Sequence, residues 1–141
     1  MAIWFQTSSL EKLQERNANT LIDHLDIRFT EIGEDYLCAE MPVDHRTVQP
    51  LGLLHGGASV ALAETLGSVA ANLVVDRQKK VCLGLEINAN HLKSAKSGKV
   101  TGMARPVHIG SSTQVWSIEI RNEAGQLTCI SRITMAVLDV K

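Results

Sequence analysis

Glu64 is the residue whose type and setting most clearly indicate chemistry. It is the only acidic residue between Asp44 and Asp76, within a run from Leu53 to Val75 in which only His55 and Glu64 can ionise. An isolated carboxylate buried in apolar surroundings is unfavourable, so its presence calls for a partner or a function. The sequence predicts a buried carboxylate that serves catalysis or ligand binding, the alternative being a structural ion pair.

The segment LHGGA at 54–58 can supply hydrogen-bond donors for the same chemistry. The first N–H groups of a helix lack partners within the helix, and glycines let a ligand approach the backbone closely. An oxyanion hole is one use of such donors. Ser68 lies one helical turn beyond Glu64, where its hydroxyl either contacts the same ligand or bonds to its own helix.

Helix geometry separates these two groups. Gly56 and Glu64 are eight residues apart, which is about 12 Å at ~1.5 Å per residue, too far for both to act on one carbonyl carbon. If both serve one reaction, they come from different subunits. A symmetric dimer would then contain two composite sites.

The elements that must position these residues indicate an α+β fold in one domain, 1–141. Ser8 or Ser9 caps a short helix, and a second helical turn follows Thr20. Two short alternating segments around Gly33 predict a β-hairpin. A long helix and four strands joined by short turns, and therefore pairing antiparallel in chain order, complete a curved sheet around one helix covered on all sides. The predicted bounds are His55 to Val75 for the helix and Val81 to Leu92, Val100 to His108, Thr113 to Asn122 and Leu127 to Leu138 for the strands.

Composition excludes several classes of function. Fourteen basic and fifteen acidic residues nearly cancel without a strong basic cluster, so we expect no nucleic-acid partner. The chain has no GxSxG, P-loop, GxGxxG or paired-histidine motif, so serine-hydrolase, nucleotide and zinc sites are not indicated. Three dispersed cysteines predict buried reduced thiols.

The same features predict a cytoplasmic protein. The first nine residues lack the basic and apolar regions of a signal peptide. The apolar run is long enough to span a bilayer, but Glu64 and several Gly, Ser, Thr and Asn residues within it favour a core helix. We therefore expect no membrane association.

Residues 49–59, QPLGLLHGGAS, and 63–68, AETLGS, resemble the hotdog-fold acyl-CoA thioesterases of the Arthrobacter 4-hydroxybenzoyl-CoA thioesterase type. Within that family the chain resembles more specifically the hydrolases of 1,4-dihydroxy-2-naphthoyl-CoA and the proofreading thioesterases of enterobactin synthesis. The similarity continues through 41–44, 85–91 and 110–116. It implies a hotdog fold: a curved antiparallel sheet around one long helix.

The resemblance also implies roles for individual residues. Glu64 matches the nucleophile or general base, His55 and Gly56 match the groups that polarise the thioester carbonyl, and Gln49 matches a residue beside it. Ser68 matches a position at which relatives carry a Ser or Thr that helps to hold the attacking water or carboxylate. The residues implied to contact substrate or CoA are Leu83, Asn90, His91, Leu92, Lys93, Val107, His108, Ile109, Gly110, Ser111 and Ser112.

The implied activity is hydrolysis of acyl or aroyl thioesters of CoA, or of a carrier protein, to free acid and thiol. The resemblance further implies no metal, no cofactor and a homotetramer built from dimers, with menaquinone biosynthesis as one setting. A hotdog dehydratase or hydratase and a non-catalytic acyl-CoA-binding protein are the alternatives. The acyl group is open at this point, as is the choice between nucleophile and base for Glu64.

Overall fold

The computed structural model describes all residues, 1–141, as three helices and six strands. The long helix and the strands lie within two residues of their predicted ends. The elements are α1 Leu10–Glu15, α2 Leu21–His24, β1 Arg28–Ile32, β2 Leu37–Pro42, α3 Gly56–Val74, β3 Lys80–His91, β4 Lys99–Ile109, β5 Thr113–Asn122 and β6 Leu127–Asp139.

All six strands form one antiparallel sheet in the order β1-β2-β4-β5-β6-β3. The predicted pairing of β3 with β4 is wrong, because β3 pairs with β6 along its whole length, from Lys80 with Asp139 to His91 with Cys129. Residues 92–98 cross between the two strands without forming a hairpin, tied to β6 and to the start of α3 by backbone hydrogen bonds.

α3 lies across one face of this sheet, which confirms the predicted hotdog arrangement. Leu62, Leu66 and Ala70 are fully buried and join the same core cluster as Trp116 and Ile118 of β5. Two glycines allow close approach: a Cβ added at Gly67 of the helix would lie 2.5 Å from Ile133 Cγ2, and one at Gly102 of β4 would lie 2.6 Å from Leu66 Cδ1. The helix and sheet backbones therefore approach more closely than larger residues would permit.

The expectation that α3 is covered all round is wrong for the single chain. One side of the helix, including Glu64, remains open to solvent. By length and composition α3 is the one helix that could cross a membrane, but half of that stretch is buried inside the molecule. Its packing against the sheet is that of a core helix.

β3 forms one edge of the sheet and has no strand on its outer side. It is 12 residues long, whereas edge strands are usually short or protected. Leu83 and Leu85 on this strand are 54% and 64% exposed. A long unpaired edge with exposed leucines is typical of a surface that pairs with another chain.

All three cysteines, Cys38, Cys82 and Cys129, are buried and unpaired, as predicted. Burial raises the pKa of the Cys38 thiol to about 11, and it also raises those of Cys82 and Cys129. These thiols pack as small apolar residues.

The close contact at Gly67 yields a stability prediction. Gly→Ala within a helix normally stabilises by about 1 kcal/mol, but at Gly67 the added methyl group overlaps Ile133 Cγ2. We expect Gly67→Ala to lower the free energy of unfolding by about 1–3 kcal/mol, measured by chemical denaturation. The double variant Gly67→Ala/Ile133→Ala should lose less than the sum of the two single changes. A stabilised Gly67→Ala protein would contradict this packing.

Candidate active site

The start of α3 is held by the loop that precedes it. His55 N–H donates to the Thr47 carbonyl at 2.8 Å, and Leu54 N–H donates to the Ala95 carbonyl at 2.8 Å. Thr47 is itself fixed because its hydroxyl donates to the Pro42 carbonyl at 2.7 Å. The first residues of the helix therefore occupy a defined position between two loops.

Hydrogen bonding at this helix start leaves two donors free. His55 is the N-cap residue, and its Nδ1 accepts from Gly57 N–H at 2.8 Å. In a neutral imidazole that accepts through Nδ1, the proton is on Nε2, so His55 Nε2–H is a donor directed away from the cap. Gly56 N–H has no partner within the chain. Together with the helix dipole, these donors favour an oxygen atom that gains negative charge.

Gln49 is oriented by its own turn. Its side-chain oxygen accepts from Leu51 N–H, and its backbone N–H donates to the Leu53 carbonyl at 2.8 Å. The side-chain NH₂ makes no bond within the chain and remains available as a donor. Gln49 lines a cleft of about 470 Å³ together with His91, Leu92 and Lys93.

An ion pair fixes the beginning of the same loop. Arg46 donates to both carboxylate oxygens of Asp44, at 3.1 and 2.6 Å, and it also approaches Asp26. These hydrogen bonds from Arg46 lower the pKa of the Asp44 carboxyl to about 2. A depressed folded-state pKa means that the pair contributes fully above the ordinary value of 3.8 and is lost as the pH falls towards 2.

Glu64 lies on the exposed side of α3, so its predicted burial is wrong for the single chain. The sheet covers only the opposite side of the helix, and Glu64 points along the open side towards the edge strand. Its Oε2 would be 3.2 Å from a Cβ added at Gly84 of β3. Glu64 and Ser68 line one cleft of about 290 Å³. The Ser68 hydroxyl makes no hydrogen bond within the chain, whereas Thr65 bonds to its own helix at 2.7 Å.

The structure keeps Gly56 and Glu64 apart, as their spacing predicts. A Cβ at Gly56 would lie 3.0 Å from His91 Nε2, while Glu64 lies against Gly84. These contact points are seven residues apart on β3, about 23 Å at ~3.3 Å per residue. Within one chain, the free donors at the start of α3 therefore lie at the C-terminal end of β3, and the carboxylate lies near the middle of that strand.

The two segments implied to contact CoA are separated in the same way. Residues 107–112 lie at the end of the sheet where β3 begins, because Ala136 of β6 pairs with both Thr113 and Leu83. Residues 90–93 lie at the other end, where His91 pairs with Cys129. A single chain does not bring these segments to one ligand.

Several positioning residues were not identified from the sequence. Thr47 and Ala95 hold the helix start through backbone carbonyls, which carry no sequence signal. The ion pair of Asp44 and Arg46 could have been predicted, because an acidic and a basic residue stand two positions apart in the loop between Pro42 and Pro50. No group of three or more His, Cys, Asp or Glu side chains in the structure is arranged to hold a metal ion.

Small and apolar side chains of α3 are candidates to line an acyl pocket near the carboxylate, and they are Ser59, Ala63, Val69 and Leu73. Ser59, Ala63 and Leu73 are buried, and Ala63 belongs wholly to the core. Val69 lines the cleft that contains Glu64 and Ser68.

Comparison with known proteins adds independent information. The family model of the Thioesterase superfamily matches residues 51–129. The chain is 54% identical to 1,4-dihydroxy-2-naphthoyl-CoA hydrolase of Escherichia coli, over 96% of this chain and 99% of that protein. It is 47% identical to the proofreading thioesterase EntH of Cronobacter turicensis, over 96% and 98% of the two chains.

Solved structures show the same similarity. A mutant thioesterase (Q49A) from Pseudomonas aeruginosa has a TM-score of 0.97 and 50% identity, covering 99% of this chain and 100% of that chain. A Staphylococcus aureus protein was solved with a glutamate changed to alanine, at a TM-score of 0.82 and 41% identity, covering 85% and 99%. It was also solved as a thioesterase enzyme with a glutamine changed to alanine, fifteen residues before that glutamate.

The N-cap role of His55 can be tested apart from any chemistry. Asn is a good N-cap residue and Ala is a poor one. We expect His55→Ala to lower the free energy of unfolding by about 0.5–2 kcal/mol, because Gly57 N–H loses its acceptor. His55→Asn should stay within a few tenths of a kcal/mol of the unmodified protein. Equal loss in both variants, measured by urea unfolding, would show that the cap bond does not stabilise the helix.

Proposed function

The chain belongs to the thioesterase superfamily and is a thioester hydrolase, and from that premise we propose that it hydrolyses acyl-CoA and aroyl-CoA with Glu64 as the catalytic carboxylate. The observation that carries the proposal is the free Gly56 N–H beside the His55 cap, on the helix that presents Glu64 in an open cleft. The hydratase and binding-protein alternatives have no such support, because the relatives are named hydrolase and thioesterase.

In the proposed reaction, the thioester carbonyl oxygen accepts from Gly56 N–H, and His55 Nε2–H or the Gln49 NH₂ group completes its polarisation. Glu64 either attacks the carbonyl carbon, forming an anhydride that water then opens, or takes a proton from the water that attacks. In both cases the C–S bond breaks, the thiolate leaves and takes up a proton, and the acid is released. Ser68 holds the attacking water or carboxylate through its free hydroxyl.

The residue pair Gln49 and Glu64 is supported by spacing in related structures. The glutamine and glutamate changed in the Staphylococcus aureus protein are fifteen residues apart, and Gln49 and Glu64 have the same separation. The Pseudomonas aeruginosa thioesterase also has glutamine at its position 49. These correspondences favour a site that uses both side chains.

The proposed site is shared between two subunits that pair through β3. In this arrangement β3 pairs antiparallel with β3 of a second copy, about a two-fold axis at Ile87. Gly84 then lies opposite the partner's Asn90, and Leu83 lies opposite the partner's His91. Glu64, which lies against Gly84, then approaches the partner's Gly56, which lies against the partner's His91. The pairing also supplies hydrogen-bond partners for the unpaired backbone edge of β3.

The same symmetry reunites the implied CoA contacts. It places residues 107–112 of one subunit near the partner's residues 90–93, so that one pantetheine channel can run between them. Lys93 is exposed and supplies a cation for the CoA phosphates. The resemblance implies that two such dimers form a tetramer. The exposed side chains of Ile130 and Leu138, on the outer face of β6, could form the contact between the dimers.

The substrate class we propose is aroyl-CoA, as with the Escherichia coli relative named for 1,4-dihydroxy-2-naphthoyl-CoA. Hydrolysis of that ester would place the enzyme in menaquinone biosynthesis. The Cronobacter relative is named a proofreading thioesterase. If this enzyme also proofreads, the corresponding substrate is an aryl thioester on a carrier protein. A cytoplasmic location agrees with three buried, unpaired thiols.

Glu64→Gln tests the catalytic carboxylate. We expect turnover of benzoyl-CoA to fall at least ~10²-fold, measured by thiol release, because the amide can neither attack nor accept a proton. The variant should remain folded and paired, because exchanging a carboxylate that the pairing withdraws from water for a neutral amide does not lower stability. Glu119→Gln, an exposed carboxylate on β5, serves as the matched control and should leave turnover unchanged. Near-normal turnover by Glu64→Gln would remove Glu64 from the mechanism.

Mixing two inactive variants tests the shared site. If Glu64→Ala and Gly56→Val are co-refolded in equal amounts, half of the dimers are mixed, and each mixed dimer has one site with both groups intact. About a quarter of normal activity should therefore return. A site within one subunit would retain a lesion in every protomer, and mixing would restore nothing. Native mass spectrometry verifies that mixed dimers formed, so zero recovery in their presence would reject the shared site.

A further inference from the structure

A second cleft, of about 200 Å³, continues from the cleft that contains Glu64. The two clefts share Ile22, Ser68 and Val69. Ser68 is one helical turn beyond Glu64, about 6 Å along α3, which is close to the length of a benzene ring. An acyl group bound with its carbonyl at Glu64 can therefore extend past Ser68 and Val69 into this second cleft.

Asn17 lines the second cleft and has an unsatisfied side chain. The residue is only 4% exposed, and its Nδ2 is a buried nitrogen without a hydrogen-bond partner, the one such side-chain atom in the chain. Its backbone is satisfied, because its N–H donates to Gln14 and its carbonyl accepts from Thr20. A buried donor without a partner is unfavourable, so a retained one points to a group that it meets in function.

The charges around this cleft have one sign. Arg16 and Arg77 line it, neither forms an ion pair within the chain, and no acidic residue is among the lining residues. The other amides are already used. Gln6 Nε2 donates to the Asn72 carbonyl at 2.9 Å, and Asn72 Oδ1 accepts from Cys82 N–H at 2.9 Å. Apart from the Ser68 hydroxyl, which is placed at the reacting end, the donors without a partner are one amide and two guanidinium groups, which together match an anionic oxygen acceptor.

We propose that this second cleft binds a carboxylate at the far end of the acyl group, through Asn17, Arg16 and Arg77. The proposal rests on the proposed function, since it takes Glu64 as the position of the thioester carbonyl. The substrate class is then a carboxyacyl or carboxyaroyl thioester whose free carboxylate lies past Ser68. Asn17 and the two arginines determine specificity and do not contact the reacting carbon.

Matched thioesters test the preference. The wild-type enzyme should have at least a tenfold higher kcat/KM for 4-carboxybenzoyl-CoA than for benzoyl-CoA. Arg16→Gln and Arg77→Gln should each reduce this ratio about tenfold while changing kcat/KM for benzoyl-CoA less than twofold. Lys79→Gln, an exposed cation outside the cleft, is the matched control and should leave the ratio unchanged.

Asn17→Leu separates recognition from structure. Because the amide bonds to nothing in the chain, its replacement should lower the preference for the carboxylate without lowering the melting temperature. A loss of stability with equal losses for both thioesters would show a structural role. A preference for 4-hydroxybenzoyl-CoA over 4-carboxybenzoyl-CoA that both arginine variants leave unchanged would overturn the anion site.

Binding of the free acids tests the cleft without turnover. By calorimetry, benzene-1,4-dicarboxylate should bind the wild-type enzyme at least ten times more tightly than benzoate, and Arg77→Gln should abolish the difference. If benzoyl-CoA is hydrolysed normally but the dicarboxylate gains nothing, the anion site is wrong and the proposed function stands. If no thioester is hydrolysed yet the dicarboxylate is preferred, the proposed function is wrong and the anion site stands.

Discussion

One six-stranded sheet can cover only one side of a helix, and the rest of this structure depends on that constraint. The buried side of α3 carries Leu62, Leu66 and Ala70 into the core, and Gly67 brings the helix backbone close to Ile133. The other side is left to solvent with Glu64, Ser68 and Val69 on it. An exposed carboxylate and two neighbouring clefts are therefore consequences of one geometric fact. The sheet is also open, so the outer edge of β3 has no neighbouring strand within the chain.

The start of α3 imposes the opposite condition, since it is closely held. Thr47 and Ala95 bind the backbone just before the helix, and His55 uses its Nδ1 to cap it. These bonds fix the direction of the free Gly56 N–H and of His55 Nε2–H before any ligand arrives. Donors that are already oriented lose little on binding a developing oxyanion, which is why preorganised N–H groups stabilise transition states effectively. Rigidity at one end of the helix and openness at its middle thus serve different steps of hydrolysis.

Features of the fold that depend on neighbouring residues are predicted well from the sequence, and features that depend on distant parts of the chain are predicted poorly. The N-cap at Ser9, the hairpin at Gly33 and the ends of α3 depend on neighbouring residues, and the structure confirms them. The partner of β3 depends on where residues 92–98 lead the chain, which no local pattern specifies, and the predicted pairing with β4 is wrong. The exposure of Glu64 fails for a similar reason. An apolar run shows that a helix needs cover, but it does not show whether the cover comes from the same chain. Asn17 has no sequence signal at all, because polar residues after a short helix are ordinarily solvated.

The open side of α3 changes the meaning of the sequence pattern around Glu64. The apolar residues around Glu64 in the sequence predict an environment without water, whereas in the single chain the carboxylate is exposed to solvent. Both observations hold if the dry environment is completed by a second chain that pairs along β3 and sets its own helix start beside Glu64. Excluding water strengthens the interaction of a carboxylate with the reacting carbonyl and of N–H donors with the oxyanion. In such an assembly the electrostatic conditions for hydrolysis would not exist in a protomer, and they would arise only when the edge strand is covered.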